Sequence, residues 1–239
     1  MDRYLVVGRG LVGSIFSDDP QFDVVSHEEW HNRNLDSYSG MVCAAAISTE
    51  TLCQKATMPA VLQANVELPL RLLKLAKTHN IPFVAFSTAG VYREPGVHTE
   101  EDDVHPHNRY MASKIYMEHT LMNEAYPKLF IFRIPFACFF NNHTHDLSGR
   151  VPNWKQCEDV NASIVYRATL ERAVRAALRA SFGGIYNIAS GTVHFPSFLE
   201  DRFGWDGEIV PAHSMGRPPN SQLDTSKARE GGLISWDGE

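Results

Sequence analysis

A glycine-rich turn directly after the first apolar run constrains this chain more than any other feature. Residues 4–8 form a short apolar run that leads into Gly8-Arg-Gly-Leu-Val-Gly13. Such a run is typical of a central parallel strand covered on both faces, and we expect the turn to open a helix. Glycine lets backbone N–H groups approach a pyrophosphate closely at a helix N-terminus. The pattern predicts dinucleotide binding by Gly8, Arg9, Gly10, Leu11, Val12 and Gly13.

Apolar runs and helical stretches alternate after this turn. Strands are predicted at residues 22–26, 41–47, 82–87 and 129–134, and the clearest helix is predicted at residues 66–79. This alternation predicts an α/β fold of the Rossmann type, a doubly wound parallel sheet with helices on both faces. In such sheets the ligands bind beyond the carboxyl ends of the strands.

The pattern changes near residue 141. Residues 141–160 are polar and lack periodicity, so we expect a loop that crosses the active-site face. A second long helix is predicted at residues 163–180 and a strand at 184–189. We therefore divide the chain into a dinucleotide-binding core at 1–140 and a region at 141–239. The second region is expected to supply the remaining core elements and a small C-terminal substrate-binding lobe within a single structural unit.

Composition excludes several classes of function. The 239 residues are 44% hydrophobic and carry a net charge of -6, so a sizeable core is expected and nucleic-acid binding is not. The four cysteines lack C-x-x-C spacing and mostly lie in apolar runs, which is typical of reduced thiols in a cytoplasmic protein. Neither a signal peptide nor a membrane span is expected. The His-x-His pairs lack an accompanying cysteine or carboxylate cluster, so no metal site is expected.

A tyrosine and a lysine carry the clearest chemical signal. Tyr110 and Lys114 lie four positions apart, which places both on one face of a helix. A neighbouring ammonium favours the phenolate, so we expect Lys114 to lower the pKa of Tyr110 and prepare it for general acid–base chemistry. The hydroxyls of Ser87 and Thr88 follow a predicted strand upstream. Together with the glycine turn, these residues predict a redox active site.

The end of the second predicted strand bears on the choice of dinucleotide. This strand ends at Ser26 and His27, without a carboxylate before Glu28. A 2'-phosphate would be repelled by a carboxylate and attracted by Arg9 in the glycine turn, so the sequence favours NADP(H). In the alternative, Arg9 is a solvated loop residue and Glu28 or Glu29 reaches the ribose, which would suit NAD(H).

Several segments together carry a family resemblance. They are the glycine turn, Asn65-Val-Glu-Leu-Pro-Leu70, Phe86-Ser-Thr-Ala-Gly-Val-Tyr92, Tyr110-Met-Ala-Ser-Lys114 and Arg133-Ile-Pro135. In order and spacing they resemble the extended short-chain dehydrogenase/reductases, within the NAD-dependent epimerase/dehydratase superfamily. Residues 217–227 resemble the C-terminal segment of the dTDP-4-dehydrorhamnose reductases and their nucleotide-sugar relatives.

The resemblance implies roles for individual residues. Tyr110 would give a proton to a carbonyl oxygen, and Thr88 would hydrogen-bond the same oxygen. Lys114 would hold the nicotinamide ribose, and Asn65 would lie near the active-site backbone, although a helix N-terminal cap is an equal alternative for it. Residues that would line the cofactor path are Ala44, Ala45, Ala46, Pro135 and Phe136. The resemblance also implies a nucleotide-sugar substrate and a homodimer.

Departures from the family pattern narrow the function. The chain has G-x-G-x-x-G where the extended type usually has one more residue, and Ala89-Gly90 stand where sugar dehydratases carry an acidic pair. Dehydration is therefore not expected. We predict NADP(H)-dependent reduction of a 4-keto-6-deoxy sugar on a nucleoside diphosphate. The alternatives are a nucleotide-sugar epimerase with retained NAD and a non-catalytic cofactor-binding regulatory subunit.

Other charged residues have less specific interpretations. Arg133 falls on a predicted buried strand, where it would need a paired carboxylate. Arg217 is a candidate for the substrate diphosphate, as are Arg150 and Arg167, because guanidinium groups bind phosphate in a bidentate manner; each is also compatible with an ordinary surface position. The acidic run at residues 100–103 is expected to be a solvated surface loop.

Overall fold

A computed structural model describes residues 2–92, 94–138, 147–212 and 221–235. The strands are β1 (Tyr4–Val7), β2 (Phe22–Val25), β3 (Gly40–Cys43), β4 (Phe83–Thr88), β5 (Gly96–His98), β6 (Leu129–Ile134), β7 (Phe136–Cys138), β8 (Gln156–Glu158), β9 (Asn161–Tyr166), β10 (Gly184–Asn187), β11 (Gly191–His194), β12 (Glu208–Val210) and β13 (Ser221–Leu223). The helices are α1 (Leu11–Ser14), α2 (Glu50–Lys55), α3 (Met58–Leu62), α4 (Leu68–Thr78), α5 (Arg109–Met122), α6 (Leu147–Arg150), α7 (Arg167–Ala177), α8 (Phe195–Phe203) and α9 (Ser226–Glu230).

A parallel six-stranded sheet forms the centre of the fold, in the order β10-β6-β4-β3-β1-β2. Its strands are rich in Val, Phe and Ile, and β1 and β3 are buried along their whole length. Separate apolar cores cover the two faces, one including α7 and the other including α4 and α5. The predicted Rossmann-type doubly wound sheet is therefore confirmed.

The glycine turn opens a helix, as predicted, and this helix is only one turn long. Helix α1 spans only Leu11–Ser14, and consecutive turns then lead into β2. Pro20 follows closely, and the Asp19 carboxylate accepts a hydrogen bond from the backbone N–H of Gln21 at 2.8 Å, which fixes a turn before β2. An isolated single turn has a weak macrodipole, so the backbone N–H groups of the turn itself are the relevant anion donors.

Several predicted boundaries need correction. Strand β2 ends at Val25 and β3 at Cys43, so residues 26 and 44–47 belong to loops. The helix predicted at residues 163–180 begins only at Arg167, because Asn161–Tyr166 is strand β9. This strand pairs with β11 and β7, which lie elsewhere in the sequence. The local sequence of β9 therefore gives no sign of the hydrogen bonds that make it a strand.

A small aromatic-rich lobe lies beyond the central sheet. It contains the three-stranded sheet β11-β9-β7, the pair β12-β8 and helix α8, around a core that includes Phe195, Phe198 and Trp205. The prediction of a plain loop at 141–160 is wrong for its described part, which contains α6, a short helical turn at Val151–Asn153 and β8. Strand β13 pairs with β5 and brings the C-terminal segment back to the main body.

Two further features concern the cysteines and the lengths of the helices. Cys43, Cys53, Cys138 and Cys157 are all buried free thiols. Across the described ranges, no helix has the length and apolar character needed to cross a membrane.

Candidate active site

The glycine turn packs tightly against the segment that follows β3. Gly8 has a φ of 121°, and a Cβ atom there would lie 2.4 Å from the backbone nitrogen of Ala45. A Cβ atom on Gly13 would lie 1.7 Å from the carbonyl oxygen of Gly8. A Cβ atom on Gly10 would meet nothing within 4 Å. Gly8 and Gly13 are therefore required for close packing, whereas the backbone at Gly10 has open space beside it.

The residues around this turn occupy two environments. Leu11 and Val12 are half-buried and pack on the core that includes α7. The backbone N–H of Ala44 donates to the carbonyl of Val7 at 2.8 Å, so Ala44 and Ala45 continue from the end of β3 past the turn. The small side chains of Ala44 and Ala45 allow the segment after β3 to pass close to the glycine turn.

Arg9 and Glu29 form an ion pair at the end of β2. Arg9 Nη2 lies 2.9 Å from Glu29 Oε2, and the same oxygen accepts the backbone N–H of Ser26 at 3.0 Å. Hydrogen bonds from Ser26, followed by the charge of Arg9, lower the pKa of Glu29. His27 is exposed beside them. Arg9 and Glu29 therefore lie together at the end of β2, and the preference between NADP(H) and NAD(H) stays a prediction.

Helix α5 brings Tyr110 and Lys114 to the carboxyl end of β4. Asn108 caps this helix by accepting the backbone N–H of Met111 at 2.9 Å. The buried Lys114 ammonium donates to the carbonyl of Phe86 at 2.9 Å, two residues before Thr88. The Thr88 hydroxyl hydrogen-bonds the half-buried Tyr110 phenol and also accepts the Gly90 N–H at 3.1 Å.

The protonation of this pair differs from the sequence-based expectation. Burial raises the pKa of Tyr110 above its usual value, and the hydrogen bond with Thr88 opposes this rise only partly. Burial also lowers the pKa of Lys114 from 10.5 to about 8. The predicted lowering of the Tyr110 pKa by Lys114 is therefore wrong for this arrangement, because desolvation outweighs the opposing hydrogen bond with Thr88. Tyr110 is a protonated phenol at neutral pH.

Asn65 connects the loop after β3 to α5. Its side-chain oxygen accepts the Ile47 N–H at 2.8 Å, and its amide group donates to the Ile47 carbonyl at 3.1 Å and to the Ser113 hydroxyl at 2.9 Å. Asn65 lies within a π-helical turn at Gln63–Glu67, a local widening that often marks functional positions. The alternative of a helix cap is therefore wrong, since the Asn65 side-chain oxygen accepts from Ile47 and the N-cap position of α4 is Glu67.

Arg133 has the buried carboxylate partner that the sequence required. Its guanidinium contacts both oxygens of Glu118, with distances of 2.6 to 3.2 Å. Arg133 also donates to the Tyr92 hydroxyl at 2.8 Å, and that hydroxyl donates to the side chain of Asn187 at 2.8 Å. Glu118 was not singled out from the sequence, although its spacing of four from Lys114 could have placed it on the same helix face.

The acidic run is not simply a solvated loop. Residues 101–103 are exposed, but Glu100 is half-buried and accepts the backbone N–H of Asn187 at 2.6 Å. Burial raises the pKa of Glu100. Its backbone carbonyl accepts from Arg133 at 3.3 Å. The surface-loop prediction is therefore wrong for Glu100, which joins β10 to the network around Arg133.

The remaining predicted residues lie around this centre or outside the described part. Ala46 is half-buried, and Pro135 lies between β6 and β7. Phe136 stacks on Phe195 with ring centres 5.0 Å apart. Arg217 lies outside the described residues. Arg150 packs over the ring of Trp154.

Arg167 is directed toward the main body of the fold. Its guanidinium donates to the Ile15 carbonyl at 2.8 Å. This contact ties α7 to the turn after α1.

The doubly wound sheet, the glycine turn and the Thr88, Tyr110 and Lys114 cluster define an NAD(P)-dependent oxidoreductase. The chain belongs to the NAD dependent epimerase/dehydratase family, whose sequence model matches residues 28–152. The matched range includes the cluster and begins after the glycine turn.

Known relatives agree with this family. The chain is 26% identical over 250 residues to the probable low-salt glycan biosynthesis reductase Agl14 of Haloferax volcanii, covering 92% of this chain and 83% of that protein. Similar solved structures include a dTDP-4-dehydrorhamnose reductase from Bacillus anthracis in complex with NADP, with a TM-score of 0.79, 16% identity and coverage of 100% and 95%. A dTDP-glucose 4,6-dehydratase from Streptomyces venezuelae with NAD bound has a TM-score of 0.77, 19% identity and coverage of 99% and 92%. At these identities the structural matches establish a shared fold.

Proposed function

We propose that this protein reduces a 4-keto-6-deoxy sugar carried on a nucleoside diphosphate, using NADP(H). The observation that carries the proposal is the meeting of Thr88, Tyr110 and Lys114 at the end of β4. The names of the similar proteins support a nucleotide-linked sugar as substrate. Ala89 and Gly90 supply neither the acid nor the base that a dehydration would need.

The turn and its surroundings fit a dinucleotide. Open space beside Gly10 would receive the pyrophosphate, while Gly8 and Gly13 keep the turn close to Ala44 and Ala45. Arg9, Ser26 and His27 would lie near the adenosine ribose, and Arg9 is the group that favours NADP(H). When bound, the dinucleotide supplies the hydride. Further residues proposed to hold it are Leu11, Val12, Ala46, Asn65, Lys114, Pro135 and Phe136.

Tyr110 is suited to give a proton to the substrate carbonyl oxygen. The phenol is protonated at neutral pH, as a proton donor must be, but its raised pKa makes it a weaker acid, so release of the proton would need stabilisation of the resulting tyrosinate. Thr88 accepts the Gly90 N–H, so its own proton can be donated to the Tyr110 oxygen or, with substrate bound, to the same carbonyl oxygen. Lys114 would provide positive charge beside the tyrosinate after the proton has left. Two donors on one oxygen stabilise the negative charge that develops there.

The test is consumption of NADPH and NADH with a panel of nucleotide-linked 4-keto-6-deoxy sugars. We expect stoichiometric oxidation of NADPH and formation of the 4-hydroxy product. Interconversion of sugar epimers without net oxidation would instead favour the epimerase alternative. Specific binding of dinucleotide without turnover of any sugar in the panel would favour the regulatory subunit. A cytoplasmic location, a homodimer and a substrate-binding role for the region 141–239 stay predictions.

A further inference from the structure

Several buried polar groups lie near Lys114. Its ammonium donates to the carbonyl of Phe86 at 2.9 Å, and the next residue, Ser87, is the direct neighbour of Arg133 across β4 and β6. Arg133 holds Glu118, which lies one helical turn beyond Lys114 on α5. Because side chains alternate along a strand, Ser87 and Arg133 face α5, as do Ala85 and Ile131 in the same strands.

These groups are almost completely withdrawn from solvent. Lys114 is 4% exposed, Glu118 3% and Arg133 3%. The Ser87 hydroxyl is buried and has no hydrogen-bond partner among the described residues. Charges at such positions interact strongly, because little water is present to screen them.

We propose that Glu118, held in place by Arg133, is a positioning residue whose charge keeps Lys114 protonated at the end of β4. This inference rests on the proposed role of Lys114 in reduction. In the described contacts Glu118 touches neither Tyr110 nor Thr88 and makes no ion pair with Lys114, so it acts on the lysine through its charge, from one helical turn away on α5. Arg133 contacts both carboxylate oxygens of Glu118, which fixes the position of that side chain on α5.

The other groups that face Lys114 cannot replace Glu118 near neutral pH. Burial raises the pKa of Cys43, on β3, to about 11, and burial also raises the pKa of Cys53, on α2. Both thiols are therefore uncharged at pH 7, and Tyr110 is a neutral phenol. Burial of Lys114 favours the loss of its proton, and the negative charge of Glu118 opposes that loss.

The test compares the titration of Lys114 in the full chain and in charge-removing variants. Lysine labelled with ¹⁵N would be followed by NMR, with Lys114→Arg used to assign the signal. In Glu118→Gln we expect the midpoint to fall by about one pH unit, as for loss of a nearby opposite charge. Glu118→Gln/Arg133→Gln should show a smaller fall, because a repelling cation is removed as well. Glu171→Gln breaks an i,i+4 pair with Arg175 on α7 and should leave the midpoint unchanged.

If Glu118→Gln does not fold, the double variant Glu118→Gln/Arg133→Gln tests the inference. Its two glutamine side chains can still hydrogen-bond to each other, and no unpaired charge is left buried. Midpoints equal to that of the wild type in every folded variant would overturn the inference and leave Glu118 with a structural role. An alkaline fall in kcat should move together with the NMR midpoint. A shifted midpoint in a protein that reduces no keto-sugar would support the positioning role of Glu118 and contradict the proposed function instead.

Discussion

Asn65 donates a hydrogen bond to the Ser113 hydroxyl at 2.9 Å and so links the π-helical turn to the helix that carries the catalytic candidates. Ser113 in turn donates to the carbonyl of Tyr110 at 2.7 Å. On its other side, Asn65 exchanges two hydrogen bonds with the backbone of Ile47. One fully buried amide therefore fixes the distance between the loop after β3 and the start of α5.

Replacing this amide should destabilise the fold. In Asn65→Leu the backbone N–H and carbonyl of Ile47 would lose their partner, and we expect the free energy of unfolding to fall by about 2 to 4 kcal/mol. Urea denaturation measures the change. The control is Gln63→Leu, because Gln63 is exposed in the same turn and its replacement should change stability by no more than about 0.5 kcal/mol. Equal stability of the two variants would contradict the linking role of Asn65.

Tyr110→Phe should remove the transferable proton and keep the packing of the ring. We expect kcat for keto-sugar reduction to fall by about 10²- to 10⁴-fold, with little change in dinucleotide affinity. Stopped-flow oxidation of NADPH and a fluorescence titration would measure the two quantities. The matched control is Tyr116→Phe, since Tyr116 is 57% exposed on the same helix. Turnover near the wild-type rate in Tyr110→Phe would exclude this tyrosine as the proton donor.

Lys114→Met should make the protein more stable while abolishing reduction. Since burial lowers the Lys114 pKa from 10.5 to about 8, the ammonium is unfavourable in the folded state at neutral pH. We expect the free energy of unfolding to rise by about 1 to 2 kcal/mol, after allowing for the lost hydrogen bond to the Phe86 carbonyl. Chemical denaturation at pH 7 measures it, and a marked loss of stability would contradict the expectation.

The same lysine gives a signed pH dependence. Between pH 8 and pH 10.5 the unfolded chain binds more protons at this position than the folded chain, so the contribution of Lys114 to stability rises with pH in that window. Below pH 8 the penalty for the buried charge is fully present. The difference in unfolding free energy between Lys114→Met and the wild type should therefore shrink as the pH is raised from 8 to 10.5.

Local sequence patterns predicted the parts of the site that depend on short-range geometry. Helical spacing placed Tyr110 beside Lys114, and the strand that ends at Thr88 followed from its apolar run. Arg133 was expected to need a carboxylate, because a cation on a buried strand requires a partner. Each of these inferences depends on a few neighbouring residues and a single periodicity.

The inferences that failed depend on contacts between distant segments. The sign of the Tyr110 pKa shift follows from desolvation, and Cys53, which adds to the shift, comes from α2. The predicted helix at residues 163–180 includes the last four residues of strand β9, because the pairing of β9 with β11 is not visible in its own sequence. The π-helical turn that contains Asn65 continues directly into α4. Its widening is likewise not visible in the local sequence, which predicts an ordinary helix there.

The ion pair between Arg9 and Glu29 should set the preference between the two dinucleotides. In Glu29→Gln the guanidinium loses its carboxylate partner, so we expect the affinity for NADPH relative to NADH to rise by up to about fivefold, the scale of an exposed ion pair. Arg9→Ala should change the ratio in the opposite direction. Glu28→Gln is the matched control, because Glu28 is exposed next to Glu29 and its carboxylate makes no ion pair with Arg9 among the described contacts.

Salt provides a second measure of the same pair. The Glu29→Gln effect should shrink as the ionic strength is raised, because attraction between exposed charges is screened. Fluorescence titrations with both dinucleotides at low and high salt would measure the ratio. If Glu29→Gln lowers the relative affinity for NADPH, then Glu29 does not compete with the 2'-phosphate for Arg9. In that case its carboxylate would instead orient Arg9 toward the ligand, through the oxygen that also accepts the Ser26 N–H at 3.0 Å.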